Sequence, residues 1–240
     1  HHDPHSVLGV HETGDGWVIR SRRPLALEVV AELADGRGVP LEHLRGGIWE
    51  ARTEDHPGAY TVRARYDGSE HVADDGYRHA PSIGELDLHL VSEGRHEELW
   101  RVLGAHVREL DGSHGVAFTV WAPDARALRV IGDFNGWDGS GSAMRSMGGS
   151  GVWEVFIPGI GTGTRYKFEI LTRGGQWIEK ADPMARLAEV PPATASVVTE
   201  SDYSWADEAW IAHRSSTAPI DRPMSIYELH LGSWKQGLSY

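Results

Sequence analysis

The sequence contains an internal repeat, and this repeat restricts the possible folds more than any other feature. DPHSVLGVH, which starts at Asp3, is echoed by ELWRVLGAH, which starts at Glu98. GIWEARTEDHPGAYTVRARYDG, starting at Gly47, is echoed in the same order by GVWEVFIPGIGTGTRYKFEILTRGG, starting at Gly151. Because a sequence that repeats in order reveals repeated structural units, we predict two consecutive copies of one fold.

Both copies contain stretches in which large apolar residues alternate with other residues, the period of two expected of half-buried β-strands. Short strands, frequent Gly and Pro turns and about a hundred residues per unit are typical of β-sandwiches. We therefore predict an all-β segment with two tandem immunoglobulin-like β-sandwiches, over residues 1–92 and 93–200. The apolar strand positions are Tyr60, Val62, Ala64 and Tyr66 in the first copy, and Val116, Phe118, Val120, Tyr166, Phe168 and Ile170 in the second.

Each copy also opens with signals for a short helix. In the first copy, Asp3 is expected to cap the helix, Pro4 to occupy its first position and Gly9 to end it. In the second copy, Ser92 is the expected cap and Gly104 the expected stop.

Beyond residue 200 the pattern changes. The segment that starts at Ser201 is polar and interrupted by prolines, so we expect it to be a connection. Ile226 to Leu231 is a nearly continuous apolar run, which is typical of a strand covered on both faces. Since a lone buried strand cannot stand by itself, residues 201–240 are interpreted as a linker and the first strand of a third domain whose remainder is missing.

The composition disfavours several classes of function. The chain has no cysteine, so it can form no disulfide, thiolate nucleophile or cysteine-ligated metal site, and we expect a reducing, cytoplasmic location. The formal net charge of −12 disfavours nucleic acid as a partner, because nucleic-acid sites depend on clustered Lys and Arg. No apolar run approaches the roughly eighteen residues of a membrane span, so no membrane partner is predicted.

The fourteen histidines invite a metal hypothesis. None of them forms the H-E-x-x-H spacing of a zinc site. His11 and His106 occupy matching places after VLG in the two copies, which favours a repeated structural role over a ligand role. We predict neither a metal nor a cofactor.

Several segments together carry a resemblance to a known family. GVAFTVWAPDARALRVIGDFNGWDG, GVWEVFIPG, RYKFEI, KADP and SIYELHLGSW occur in the order and wording that mark glycogen branching enzymes, the 1,4-α-glucan branching enzymes. The chain resembles their amino-terminal portion. The resemblance implies an extra sandwich over residues 1–92 and a family 48 carbohydrate-binding module over residues 93–200. It also implies that residues 201–240 carry the first strand of a truncated (β/α)8 barrel of glycoside hydrolase family 13.

The resemblance also implies an activity for the whole protein. Family members cleave an α-1,4 bond and re-form it as an α-1,6 branch by a retaining double displacement that uses carboxylates. Those carboxylates lie on later barrel strands, so no catalytic residue is assigned here. Glu228, on the predicted first strand, is interpreted as structural. This segment alone is expected to be inactive and to bind or position α-glucan, such as glycogen, amylose or maltooligosaccharides.

One turn, GDFNGWDG, carries two large rings. Asn135-Gly136 predicts a tight turn, because both positions tolerate positive φ. Phe134 is expected to fill the sandwich core. Trp137 matches the aromatic residue that similar glucan-binding modules stack on a sugar ring, and a cover over the rim of the sandwich is its alternative role.

Two further positions match such a binding platform. Lys167 matches the module's hydrogen-bonding lysine, with an ordinary solvated lysine as the alternative. Trp177 resembles the second stacking tryptophan. If the turn before it has two residues, Trp177 pairs with Thr172 and shares the face of Phe168, not that of Lys167.

Three interpretations stay open at this point. The chain is a fragment of a branching transferase, or a fragment of a hydrolase, since debranching enzymes and maltooligosyl trehalose trehalohydrolases share the module and the barrel. The third interpretation is a stand-alone glucan-binding protein. The duplicated sandwich and the HLGSW segment favour the first.

Overall fold

The structure, a computed structural model, describes residues 3–218, 220 and 223–237. The chain divides into two compact units, residues 1–200 and residues 201–240. Within the described ranges, no helix is both long enough and apolar enough to cross a membrane.

The first copy of the repeat forms one antiparallel sheet that folds back on itself. Its strands are β1 (Gly9–Thr13), β2 (Gly16–Arg22), β3 (Glu28–Leu33), β4 (Gly38–Arg45), β5 (Ile48–Thr53), β6 (Tyr60–Tyr66) and β7 (Ser69–Asp74). The order is β1-β2-β5-β4-β3-β6-β7, so β4 joins two halves of the sheet. Side chains from both halves meet in one core: Ile19, Val29, Ala31, Leu33, Leu41, Trp49, Ala51, Tyr60, Val62 and Ala64. This face-to-face packing confirms the first predicted sandwich.

The period of two predicted for β6 is confirmed. Tyr60, Val62 and Ala64 are buried, and Tyr66 packs against the edge of the same core. Arg63 points the other way and its Nε lies 2.7 Å from a carboxylate oxygen of Glu32.

The second copy forms two sheets. Its strands are β8 (Gly104–Leu110), β9 (Ser113–Trp121), β10 (Ala127–Gly132), β11 (Arg145–Ser146), β12 (Val152–Pro158), β13 (Arg165–Leu171), β14 (Trp177–Lys180), β15 (Leu187–Ala188) and β16 (Ser196–Val197). One sheet has the order β11-β12-β9-β8; the other has the order β10-β13-β16-β15, with β14 also paired to β13. They enclose a core of Val116, Phe118, Val120, Leu128, Val130, Met144, Trp153, Val155, Tyr166, Phe168 and Val198. The second predicted sandwich is therefore confirmed.

Strand β12 is buried on both faces. Val155 lies in the core between the two sheets, whereas the alternate residues are covered by residues 75–103, which connect the two copies. Val152 packs with apolar side chains of the helix α1 (Glu85–Ser92). The ring centroids of Phe156 and His79 are 4.8 Å apart.

The neighbouring strand β9 is buried at every position from Gly115 to Val120. The predicted alternation of Val116 and Phe118 toward the core is confirmed, but the expectation of a half-buried strand is wrong. Ala117 and Thr119, on the opposite face, are buried as well. The sequence pattern identifies only the core-facing side of the strand. Small residues on the other side fit equally well against solvent or against a second packed layer, so their burial cannot be predicted from the pattern.

The helix signals are confirmed only in part. Pro4–Ser6 is a single 3₁₀ turn whose cap, Asp3, makes no side-chain capping bond. Gly9 adopts a positive φ of 89°, as expected of a left-handed stop. The prediction for Ser92 is wrong, because Ser92 ends α1 and its hydroxyl donates to the Leu88 carbonyl.

A buried ion pair lies between the connecting segment and the second sandwich. Arg145 Nε donates to the Glu154 carboxylate at 2.7 Å, and the two side chains are only 10% and 0% exposed. Glu154 also accepts from the backbone N–H and hydroxyl of Ser82, at 3.2 and 2.9 Å. Arg145 donates a further bond to the His79 carbonyl at 3.1 Å. The pair thus attaches residues 75–103 to the sheet beneath them.

The described residues of the second unit include the helices α2 (Glu208–Ser216) and α3 (Leu231–Trp234). The predicted strand from Ile226 to Leu231 is not observed, because residues 223–230 have no regular secondary structure and Leu231 begins α3. A strand needs hydrogen bonds from a neighbouring strand, and the described residues pair none with this run. The expected connection is also only partly irregular, since α2 interrupts it.

The buried pair predicts a large stability difference between two matched variants. Arg145→Met leaves the Glu154 carboxylate buried without its cation, so we expect urea denaturation to show about 3–5 kcal/mol less free energy of unfolding. Arg173→Met is the control, because Arg173 and Asp124 form an ion pair that is 77% and 79% exposed. Exposed pairs contribute about 1 kcal/mol or less. Equal losses in the two variants would contradict the role given to the buried pair.

Candidate functional site

One face of the five-stranded sheet carries two of the three site residues predicted from the sequence. In β13, Phe168 points into the core, so Lys167 and Glu169 point to the opposite face. The register of β13 and β14 places Leu171 opposite Trp177. Because directly opposed residues share a face of the sheet, Trp177 lies on the same face as Lys167.

This register differs from the one that a two-residue turn would give. β13 ends at Leu171 and β14 begins at Trp177, so residues 172–176 form the connection. Within it the Thr172 N–H donates to the Gln176 carbonyl at 2.9 Å. The predicted pairing of Trp177 with Thr172 is therefore wrong. The longer turn places Trp177 on the face that suits the predicted platform.

Arg129 of β10 is a site residue that was not predicted. Its guanidinium carbon lies 4.1 Å from the centroid of the Trp177 ring, a cation–π contact. Its Nη1 lies 3.4 Å from a Glu169 carboxylate oxygen. Arg129 therefore covers one side of the indole and orients it. The alternation of Leu128 and Val130 toward the core is the sequence signal that places Arg129 on this outer face.

Lys167 is held in place instead of moving freely in solvent. Its Nζ lies 3.5 Å from a Glu179 carboxylate oxygen, and its side chain is only 21% exposed. Glu179 is directly opposite Glu169 across the strand pair. An ammonium group has three donors, so the ion pair leaves Lys167 able to donate to a further acceptor.

The turn that carries Trp137 is built around Asn135. The Asn135 side-chain oxygen accepts from the Gly132 N–H at 2.9 Å, and its amide donates to the Val130 carbonyl at 3.0 Å. The predicted tight turn is confirmed, but the left-handed residues are Gly136 and Trp137, at φ 61° and 64°. They lie one residue later than predicted, because Asn135 is the last residue of a 3₁₀ turn.

Trp137 is tied to the same outer face through an ion pair. Its side chain hydrogen-bonds to the Asp133 carboxylate, which also accepts from Arg165 Nε and Nη2 at 2.9 Å each. Arg165 precedes Lys167 by two residues on β13, so both point to the outer face. Trp137 therefore lies at one end of β13 and Trp177 at the other. Trp137 is 39% exposed and Trp177 is 37% exposed.

Phe134 and the two matched histidines have structural roles, as predicted. Phe134 is partly buried against the core of the second sandwich. His11 bonds through Nε2 to the Leu8 carbonyl at 3.0 Å, and His106 to the Leu103 carbonyl at 2.9 Å. The repeat thus preserves one local hydrogen bond in both copies.

The outer face of β10, β13 and β14 suits a neutral, hydroxyl-rich ligand. Trp137 and Trp177 supply apolar rings, Lys167 supplies donors, and Glu169 and Glu179 supply acceptors. At about 3.3 Å per residue, the stretch from one end of β13 to the other is about 20 Å long. In the part of the chain that the structure describes, no three His, Asp or Glu side chains are grouped as metal ligands.

Two family models match separate ranges of the chain. Residues 1–77 match the alpha-1,4-glucan branching enzyme GlgB, N-terminal domain. Residues 102–185 match carbohydrate-binding module 48, the isoamylase N-terminal domain. The second range contains Trp137, Lys167 and Trp177.

Similar proteins match the chain from end to end. It is 55% identical over 247 aligned positions to the 1,4-alpha-glucan branching enzyme GlgB of Leifsonia xyli subsp. xyli (strain CTCB07), covering 100% of this chain and 34% of that relative. It is 54% identical over 249 positions to the enzyme of the same name from Thermobifida fusca (strain YX), covering 100% of this chain and 33% of the relative. The chain thus spans about a third of the length of these curated relatives.

A likeness to solved structures is much weaker. The pullulanase type I of Bacillus subtilis str. 168, complexed with maltose, matches with a TM-score of 0.38 and 19% identity. The match covers 82% of this chain and 27% of that chain. It is too weak to bear on function.

We predict a pH-dependent change at Trp137 that follows the ionisation of the Asp133 carboxylate. Hydrogen bonds from the Arg165 side chain are the main cause that lowers the pKa of Asp133. Because this pKa is lowered, the pair stabilises the folded state at pH values above the ordinary carboxyl pKa, about 3.9. This stabilisation is lost as the pH falls through the lower pKa of the folded state. We expect the indole ¹⁵N resonance of Trp137 to titrate with a midpoint below that ordinary value.

Arg165→Gln should raise this midpoint, because the carboxylate loses its cation. Arg173→Gln, at an exposed pair elsewhere, serves as the control and should leave the midpoint unchanged. A midpoint that is the same in all three proteins would show that Arg165 does not set the ionisation of Asp133.

Proposed function

We propose that this chain is the amino-terminal region of a 1,4-α-glucan branching enzyme and that its second sandwich binds α-glucan along the outer face of β10, β13 and β14. The observation that carries this proposal is the register that places Trp177 and Lys167 on one face. Trp137 lies on the same face through its link to Asp133 and Arg165. A matched family model for a carbohydrate-binding module supports the same assignment.

In the proposed complex, the aromatic rings stack on sugar rings and the polar groups bond to sugar hydroxyls. The C–H face of a glucose ring is apolar and packs on an indole as an aromatic partner does. Arg129 occupies one side of the Trp177 ring, so a sugar stacks on the other side. Lys167 then donates to hydroxyl groups between the two tryptophans. Trp137 receives a second part of the same glucan chain at the far end of β13.

Weak binding is sufficient for this role. A millimolar dissociation constant corresponds to only about 4 kcal/mol, which two stacked rings and a few hydroxyl contacts supply after ordering costs. A tethered weak site raises the local concentration of a long polymer near the rest of the protein. The sandwich therefore positions glucan without performing chemistry on it.

For the whole protein we propose the activity of its relatives, 1,4-α-glucan branching. It would cleave α-1,4 linkages and transfer the released chain to an α-1,6 position by a retaining double displacement. This chain spans about a third of those relatives, and we assign it no catalytic residue. The 240-residue chain alone is proposed to be inactive.

Titration with maltoheptaose tests the binding face on the 240-residue chain. We expect a dissociation constant of about 1 mM, with chemical-shift changes at the indoles of Trp137 and Trp177. Trp137→Ala and Trp177→Ala should each weaken binding by about tenfold, because a stacked ring is lost. Trp100→Ala is the matched control, since Trp100 is an exposed tryptophan outside this face. Absence of heat and of shifts at about 10 mM sugar would refute the assignment.

Treatment of amylose with a full-length protein that contains this chain tests the proposed activity. Branching removes the iodine colour and creates few new reducing ends, because each cleaved bond is replaced by an α-1,6 bond. Loss of colour with many new reducing ends would identify a hydrolase and overturn the transferase proposal. The 240-residue chain alone should change neither signal.

A further inference from the structure

A second cleft lies away from the glucan face, beside β8. It has a volume of about 480 Å³, within the range of small-molecule sites. The side chains that define it here as the cationic cleft are Trp100, Arg101, His106, Arg108, Arg186 and Glu200. None of them belongs to β10, β13 or β14.

The positive charge of the cationic cleft comes mainly from two guanidinium groups. Arg108 donates from Nη2 to the Arg101 carbonyl at 3.4 Å, and Arg186 donates from Nη2 to the Trp100 carbonyl at 3.3 Å. These bonds hold the groups at backbone carbonyls and leave most of their five N–H donors for other acceptors. The side chain of Arg101 itself is paired with Glu98.

Among the described residues, Arg108 and Arg186 differ from most arginines of this protein in having no carboxylate partner. With a formal net charge of −12, carboxylates are abundant, and arginines such as Arg20, Arg63 and Arg165 are paired with them. Within the described part of the chain, no carboxylate forms an ion pair with Arg108 or Arg186. Two unneutralised guanidinium groups at one cleft favour an anionic ligand.

His106 lines the same cleft, and the charges of Arg108 and Arg186 both act on it. Its Nε2 must carry the proton, because it bonds to the Leu103 carbonyl, which only accepts. Burial lowers the pKa of His106, and the positive charges of Arg108 and Arg186 lower it further. The lowered pKa favours the neutral ring, in which Nδ1 is an acceptor for a hydroxyl group.

Trp100 adds an apolar surface to this polar site. Its side chain is 51% exposed, although its carbonyl is bonded to Arg186. An exposed ring beside two guanidinium groups matches a ligand with a sugar ring and a phosphate. Arginine binds phosphate oxygens in a bidentate manner, and an indole packs on the C–H face of a sugar.

We propose that the cationic cleft binds a hexose phosphate, with the phosphomonoester on Arg108 and Arg186 and the sugar ring on Trp100. The Nδ1 atom of His106 accepts from a sugar hydroxyl. Glu200, which lines the same cleft, accepts from another hydroxyl. This site is separate from the glucan face and provides a place for a small charged sugar to act on a polymer-binding protein.

Titration of the 240-residue chain with glucose 1-phosphate tests the proposal, with the indole ¹⁵N resonance of Trp100 as the readout. We expect saturable shifts with a dissociation constant of about 1 mM at low salt, and weaker binding as salt is added. The double variant Arg108→Gln/Arg186→Gln should weaken binding at least about tenfold, because two charge-assisted contacts are lost. Arg95→Gln, an exposed arginine outside the cleft, should bind as the parent does.

Two further titrations separate the alternatives. Glucose at the same concentration should leave the Trp100 resonance unmoved, since it lacks the anion. Inorganic phosphate should bind several-fold more weakly than glucose 1-phosphate, because it lacks the stacked ring; equal affinity would overturn the assignment of a sugar. Absence of Trp100 shifts with glucose 1-phosphate at about 20 mM would overturn the site itself.

The glucan proposal and this one fail independently. Trp100→Ala should weaken glucose 1-phosphate binding and leave maltoheptaose binding unchanged. Trp177→Ala should do the reverse. If Trp100→Ala leaves glucose 1-phosphate binding intact, the stacked geometry proposed for the cationic cleft is wrong.

Discussion

The ion pair between Arg145 and Glu154 determines which surfaces of the second sandwich remain available for binding. Glu154 is fully buried and also accepts from Ser82, while Arg145 reaches the His79 carbonyl. Because an unpaired buried charge costs several kcal/mol, these groups hold residues 75–103 against the sheet that contains β9 and β12. Strands β9 and β12 of that sheet are therefore covered on both faces. The sheet of β10, β13 and β14 keeps its outer face exposed, and the candidate glucan site lies there.

Much of the fold could be predicted from the sequence, because alternation toward a core is a local pattern. The core-facing residues Tyr60 and Phe118 were found in this way. The burial of Thr119 could not be found, since it depends on a connecting segment that contributes no periodicity of its own. Ile226 to Leu231 shows the opposite failure. Its apolar pattern predicts a strand, but a strand forms only where a neighbouring strand supplies hydrogen bonds.

The candidate site was predicted less completely, because it depends on register. Trp137, Lys167 and Trp177 were identified by resemblance, but the face of Trp177 depends on the length of the turn before it. That length is set by hydrogen bonds within residues 172–176, which the sequence does not reveal. Arg129 was missed because its role comes from a partner on another strand. Positions along one strand are thus easier to predict than contacts between strands.

A crystal structure of the 240-residue chain with maltoheptaose tests the central claim most directly. We expect sugar rings stacked on Trp137 and on the side of Trp177 that Arg129 leaves open, with Lys167 bonded to hydroxyl groups between them. Glucan bound only at another surface, with Trp177 still covered by solvent, would contradict it. A crystal saturated with maltoheptaose in which Lys167 contacts only Glu179 would also contradict it.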